Sequence, residues 1–354
     1  MAYVNKDLLL ALDRICAGRV VLGPQDLIHS HNPRIVTKTS HIGGKSVTEL
    51  PGLVFGDLRT ELNSVGLAMT MTENVIELAG AISLDALIIH HPVADGASSG
   101  GVLIQDYLNL YDLALFELHE AFHGTHPGAA YLHGFDATLI HAGYHNHPGV
   151  NVYVGKALPQ IRTVADLLTR QQDLLSVREE GLLLEAERDI RTEPHLQEML
   201  VSTAPELLTG DLEARVGMIA QFAPHSGFNA DLLQHLLDEN PKIDTLIAAK
   251  GKLRQSDPLV SAGAELGLNV LNGNCHGYEV YENWMPLAAA LQIFLPGLEV
   301  HIIRERVVAS PFEETGSPAL REYAKLMAER HLVTKEPRIL DSFRHGGSSE
   351  ETQA

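Results

Sequence analysis

Cysteine is scarce in this sequence. Its 2 cysteines among 354 residues, Cys16 and Cys275, are too few and too far apart for the disulfide framework that holds small secreted domains together. Positive charge is also short, with 26 Lys and Arg against 45 Asp and Glu and a formal net charge of −19. Binding a nucleic-acid backbone rests on clustered Lys and Arg that release counterions. No basic run is present, so a nucleic-acid partner is not expected. No apolar run approaches the roughly 20 residues needed to span a bilayer. The opening MAYVNKDLLLALDRICAGR carries charges inside its apolar stretch, unlike a secretory signal. The expectation is therefore a cytoplasmic protein in a reducing compartment, with no membrane partner. A P-loop, a dinucleotide-binding glycine fingerprint and a Gly-x-Ser-x-Gly elbow are all missing, which argues against nucleotide-driven and serine-hydrolase chemistry.

Histidine, by contrast, is abundant, with 19 residues, many of them between His90 and His147. Neutral imidazole is the commonest metal ligand, although any single histidine is more often a surface or hydrogen-bonded core residue. The chain length and a 45% hydrophobic content can bury a full core and exceed what one average domain needs, so two lobes are expected.

The pattern along the chain is that of an α/β protein built from βα units in mixed sheets. SVGLAMTM, residues 64–71, reads as a buried strand. TENVIELAGA, residues 72–81, follows as a helix with Thr72 as N-cap and Glu73 in the first turn. LDALIIHHP is then a continuous apolar run closed by Pro92, as in a parallel strand covered on both faces. Further on, ARVGMIAQF, IDTLIAAKG, LGLNVLNGN and LEVHIIRE read as strands. NADLLQHLLDEN, SDPLVSAGAEL and PLAAALQIFL read as the helices between them. Residues 160–200 have helical spacing and many charges. The expected organisation is a first α/β lobe over 1–150, a helical insertion or lid over 151–212, a second α/β lobe over 213–335 and a disordered tail over 336–354.

Two stretches carry metal chemistry. His90 and His91 are consecutive at a strand end, where neighbouring side chains splay and can serve two adjacent ions; ligand sites in open α/β sheets lie at the carboxyl ends of strands. NGNCHGYEVYENW also follows a strand and offers His276 with Glu279 and Glu282. A carboxylate there could bridge two divalent ions while imidazoles complete their shells. Taken alone, the two glutamates read more readily as a solvated pair near a helix start.

These stretches resemble the GTP cyclohydrolase 1 type 2 homologues, a family of hexameric proteins with a dinuclear metal centre. LAMTMTENVIELAGAISLDALIIHHPV looks like the family's strand-helix-strand leading into a metal-binding His-His-Pro. LALFELHEAFHG is similar to the place where the family has a strand and then His-Thr-Asn-Leu-Asp. IDTLIAAKGKLRQSDPLVSAGAELGLNVLNGNCHGYEVYE corresponds to its second-half motif, and PGLVFGDLRTELNSVGL faintly resembles an early Asn-Ser-Gly-Leu segment. The resemblance covers roughly residues 51–125 and 213–305. It implies metal ligands at His90, His91 and His276, two zinc, iron or manganese ions with a shared activated water, a homo-hexamer, and a small-molecule substrate such as a purine nucleotide. Four departures stand out. His123 occupies the place of a ligand Asp and brings no negative charge. The family's Glu lies four residues after its His, whereas here the choices are Glu279 and Glu282. Glu282 is preferred because its distance to LEVHII fits better. AAKGKLRQ replaces a Thr-Gly-Asp motif, and 151–212 has no counterpart.

Two other readings stay open. His119-Glu120-Ala121-Phe122-His123 is a literal H-E-x-x-H, the zinc-peptidase signature, which needs a helix to bring both histidines onto one face. A helix through 113–123 would favour that reading, and a strand ending near Leu118 would favour the dinuclear centre. The third reading is a ring-forming scaffold in which the ions are structural. His141, His145 and His147 fit a polar loop, as do His29 and His31.

Overall fold

The computed structural model describes residues 2–23, 26, 37–39, 46–91, 104–119, 121–141, 144–146, 150–174, 182, 185, 186, 189, 190, 192, 205–223, 227–249, 253–273, 280–304 and 308–333. Two six-stranded mixed sheets dominate these residues.

The first sheet uses β1 (Gly52–Phe55), β2 (Ser64–Ala68), β3 (Ala86–Ile89) and β4 (Ala114–Glu117). Strands β2, β3 and β4 run parallel, with β1 antiparallel on the edge beside β4. Helix α1 (Asn5–Ile15) precedes them, α2 (Glu73–Ala81) connects β2 to β3, and α3 (Ile104–Leu110) leads into β4. The apolar run at β3 is explained by its two covered faces. Ala86 and Ile88 pack with α1, whereas Leu87 and Ile89 pack in a separate cluster with Val75, Ile76 and Ala79 of α2. Thr72 caps α2 as expected, its hydroxyl accepting from the Val75 N–H at 3.2 Å.

The second sheet contains β5 (Phe135–His141), β6 (Val152–Ala157), β7 (Glu206–Thr209), β8 (Met218–Phe222), β9 (Ile243–Ala248) and β10 (Asn269–Asn272), in the order β7-β10-β9-β8-β6-β5. It is flanked by α4 (Gly128–His133), α5 (Val164–Leu174), α6 (Ala230–Glu239) and α7 (Pro258–Glu265). The chain then returns to the first sheet. After α8 (Met285–Phe294), strand β11 (Glu299–Arg304) lies parallel to β2, pairing Glu299–Ile302 with Ser64–Leu67. Strand β12 (Val308–Pro311) closes that edge, and α9 (Pro318–Met327) packs over α8.

Strand pairing therefore divides the chain differently from cuts at 150 and 212. The hairpin β5–β6 crosses the first cut, β7 lies inside the segment expected to be helical, and β11 belongs with β2 rather than with β10. Within 151–212 the described residues hold β6, α5 and β7, and most of 175–204 lies outside the described residues, as does the tail from 334. Among the described residues no helix is long and apolar enough to cross a membrane.

Gly155 marks a close backbone approach in the β5–β6 pair, where the register shifts between Val154 and Gly155. A Cβ there would stand 2.0 Å from the Asp136 carbonyl oxygen and 2.6 Å from the Ala137 Cα. Backbone cannot rotate aside as a side chain can, so Gly155→Ala is expected to destabilise the protein by about 1–3 kcal/mol. A urea midpoint equal to that of the wild type would refute the close approach.

Candidate metal centre

The site is built at the carboxyl ends of β3 and β4. The parallel ladder runs past the strand ends, with His90 N–H donating to the Ala68 carbonyl at 3.1 Å and His91 N–H to Met69 at 2.8 Å. Leu118 N–H donates to Ile89 at 2.9 Å, so the residue before His119 is fixed beside the residue before His90. The chain then turns: the N–H groups of Phe122 and His123 both donate to the His119 carbonyl, at 2.8 and 3.2 Å. That single turn brings His119 and His123 onto one side. Arg19 holds it from outside, its Nη1 donating to the His123 carbonyl at 3.2 Å.

One imidazole nitrogen from each of His90, His119 and His123 lies within 4.8 Å of the others. The ring centroids are 4.6 Å apart for His90 and His119, 5.0 Å for His90 and His123, and 4.9 Å for His119 and His123. His90 is fully buried. Trp284, the sole tryptophan of the chain, meets its ring edge-on at 5.3 Å. His91 stands beside the group, its ring 5.6 Å from that of His90 and 6.0 Å from that of His119. Its Nδ1 is 2.7 Å from the Thr70 hydroxyl.

His119 has a carboxylate behind it: Nδ1 lies 2.8 Å from Glu49 Oε1, and Glu49 is 1% exposed. An ionised carboxylate only accepts, so Nδ1 carries the proton and Nε2 keeps the lone pair a metal needs. Such carboxylate-backed histidines are the usual form of metal-binding imidazole. A second buried carboxylate, Glu117 on β4, accepts from the Leu50 N–H at 2.9 Å and so holds the Glu49 segment against the strand. Three converging imidazoles, one of them fixed in its tautomer, form a donor set that suits zinc or another divalent transition metal.

The expected ligands meet different fates. His90 and His123 converge and His91 adjoins them. His276 and Glu279 lie outside the described residues. Glu282 is buried, at 2% exposure, in the π-helical turn Val280–Trp284, but it is not in the converging donor group. Its charge instead reaches Tyr153 and Tyr323, whose phenols are pushed up first by burial and then by Glu282. His119 and Glu49 join the site without having been read as ligand and support of the His90 centre. The signal for His119 was the H-x-x-x-H spacing itself. Glu49, 70 residues from His119, had none. The zinc-peptidase helix does not form: β4 occupies 114–117 and only a turn follows, with Glu120 outside the described residues.

No protein-family model matches the chain, and no curated protein matches it closely enough to be significant. Solved structures do share the fold. The hypothetical protein SA1388 of Staphylococcus aureus aligns with a TM-score of 0.51 at 13% identity, over 85% of this chain and 96% of its own. TTHA1606 from Thermus thermophilus aligns with a TM-score of 0.50 at 18% identity, over 84% and 97%. A NIF3 superfamily protein from Sphaerobacter thermophilus covers 85% and 98% at 12% identity, with a TM-score of 0.41. The first two establish a shared two-lobed α/β architecture.

Glu49→Gln keeps a hydrogen-bonding group but removes the charge behind His119, so metal affinity is expected to fall about 10- to 100-fold. The single tryptophan gives the readout, because a paramagnetic ion such as Co(II) held by His90 should quench Trp284 fluorescence. Unchanged quenching midpoints in Glu49→Gln would show that Glu49 does not support the ligand.

Proposed function

We propose that this protein binds two divalent metal ions and uses them as a hydrolase acting on a small molecule. The observation that carries the proposal is the convergence of His90, His119 and His123 with Glu49 behind His119. His91, His276 and one of Glu279 or Glu282 are the candidates to complete the second ion's shell.

When bound, the ions supply Lewis acidity and make water more acidic near neutral pH. The chain's own groups do the rest. Glu49 fixes the His119 tautomer, Thr70 orients His91, and Trp284 with the surrounding core keeps bulk water from the His90 side. The resemblance to the GTP cyclohydrolase 1 type 2 homologues makes hydrolytic ring opening of a purine nucleotide the first activity to assay, in a protein assembled as a homo-hexamer.

Elemental analysis of the purified wild type and of His90→Ala, His91→Ala and His119→Ala tests the centre. Close to two ions per wild-type chain are expected, with most of the metal lost on replacing His90 or His119 and about one ion retained without His91. Metal content unaffected by His90→Ala would overturn the proposal. Full metal occupancy without turnover of nucleotide or phosphate-ester substrates would instead support a ring-forming metal scaffold.

A further inference from the structure

A second group of imidazoles lies on the other sheet. The β5–β6 connection makes a tight turn at Tyr144–Asn146, and His145 within it has φ 49° and ψ 41°. That left-handed conformation is costly for a residue with a Cβ and persists only where the surroundings impose it. Beside it, Tyr144 is firmly held. Its ring is 4% exposed and packs with Phe228 in the core, at 6.4 Å between centroids, while its N–H donates to the Val150 carbonyl at 2.8 Å.

The turn presents His145 to α6, where His235 and Glu239 stand one helical turn apart on the exposed face. The His145 ring stacks on that of His235, with centroids 4.8 Å apart and 24° between planes. His145 Nε2 lies 3.4 Å from Glu239 Oε1. The other carboxylate oxygen, Oε2, accepts from the Tyr144 hydroxyl at 3.0 Å. As the donor in this contact, the Tyr144 hydroxyl fixes the carboxylate.

We infer that His145, His235 and Glu239 form a second divalent-metal site, of the zinc class, which fastens the β5–β6 turn to α6. Two ligands on one tetrahedral zinc, each at about 2.0–2.2 Å, stand roughly 3.3–3.5 Å apart, which is the present separation of His145 Nε2 and Glu239 Oε1. The third ligand needs one adjustment. The ring nitrogens of His235 do not yet converge with the other two ligand atoms, so binding requires this exposed side chain to rotate off the stack. Tyr144 is the supporting group behind the carboxylate, as outer-shell hydrogen bonds are in metal sites generally. With two imidazoles and one carboxylate, the site keeps a coordination position open to solvent.

The test is calorimetric titration of ZnCl2 into the chelator-stripped full chain, with His235→Ala, Glu239→Gln and His119→Ala beside the wild type. His235→Ala and Glu239→Gln are each expected to raise the Kd of one zinc-binding event at least tenfold while leaving the thermal midpoint of the metal-free protein unchanged. His119→Ala is expected to leave that event intact, which separates this site from the His90 centre. ¹⁵N spectra of the imidazoles should show zinc shifting His145 and His235 together in the His119→Ala protein. Zinc isotherms of His235→Ala and Glu239→Gln that superimpose on the wild type would overturn the inference, whatever becomes of the His90 centre.

Discussion

The parallel pairing of β2, β3 and β4 is the constraint on which the rest of the site depends. Its hydrogen bonds continue beyond the strands, from His90 to Ala68, His91 to Met69 and Leu118 to Ile89. These bonds fix the backbone on which the imidazoles of His90 and His119 stand. A parallel sheet brings the carboxyl ends of successive strands to the same edge, so residues 29 positions apart in sequence meet without any side chain having to reach far. The apolar faces hold the register. A slip of one residue would exchange Ala86 and Ile88 for Leu87 and Ile89 across the sheet and turn His90 away from His119.

Given that placement, the chemistry follows from burial and charge. Three neutral imidazoles cannot offset the charge of a divalent ion. Glu49 supplies negative charge from behind His119, and Glu117 lies buried in the neighbouring strand. Both carboxylates are 3% exposed or less, where the effective dielectric is low and each charge acts strongly on nearby groups. A carboxylate acting through a histidine also polarises the imidazole and strengthens it as a donor.

Much of this was legible in the sequence, and the reasons differ by element. Strands β2, β3, β8, β9, β10 and β11 announced themselves as short apolar runs, because a strand covered on both faces has no polar side to interrupt it. The position of His90 after such a run was as informative as the residue. The stretch before His119 was ambiguous because Tyr111, Leu113 and Leu115 satisfy a helix or a strand period equally. The structure resolves it as β4, which removes the zinc-peptidase helix but keeps His119 and His123 together through one turn. What could not be read was pairing at long range. Strand β11 lies beside β2 although the whole second sheet intervenes in sequence, and Glu49 reaches His119 from a segment with no metal-binding pattern. Hydrophobic periodicity reports burial, not the partner that provides it.

The return of the chain to the first sheet has a further consequence. Trp284, which meets His90, sits between the last strand of the second sheet and the returning helix α8, two residues beyond Glu282. Glu282 in turn acts on Tyr153 of β6 in the second sheet and on Tyr323 of α9 over the first. Tyr323 stacks on Tyr131 of α4, and the guanidinium of Arg170 on α5 lies over that same ring at 5.4 Å. One short π-helical turn is therefore in register with the buried histidine, with the sheet that leaves the first lobe and with the helices that close it. Its wider turn accommodates Glu282 and Trp284 as buried neighbours where a regular α-helix would space them differently. Any rotation of one lobe against the other must repack this turn, and with it the tryptophan against which His90 rests.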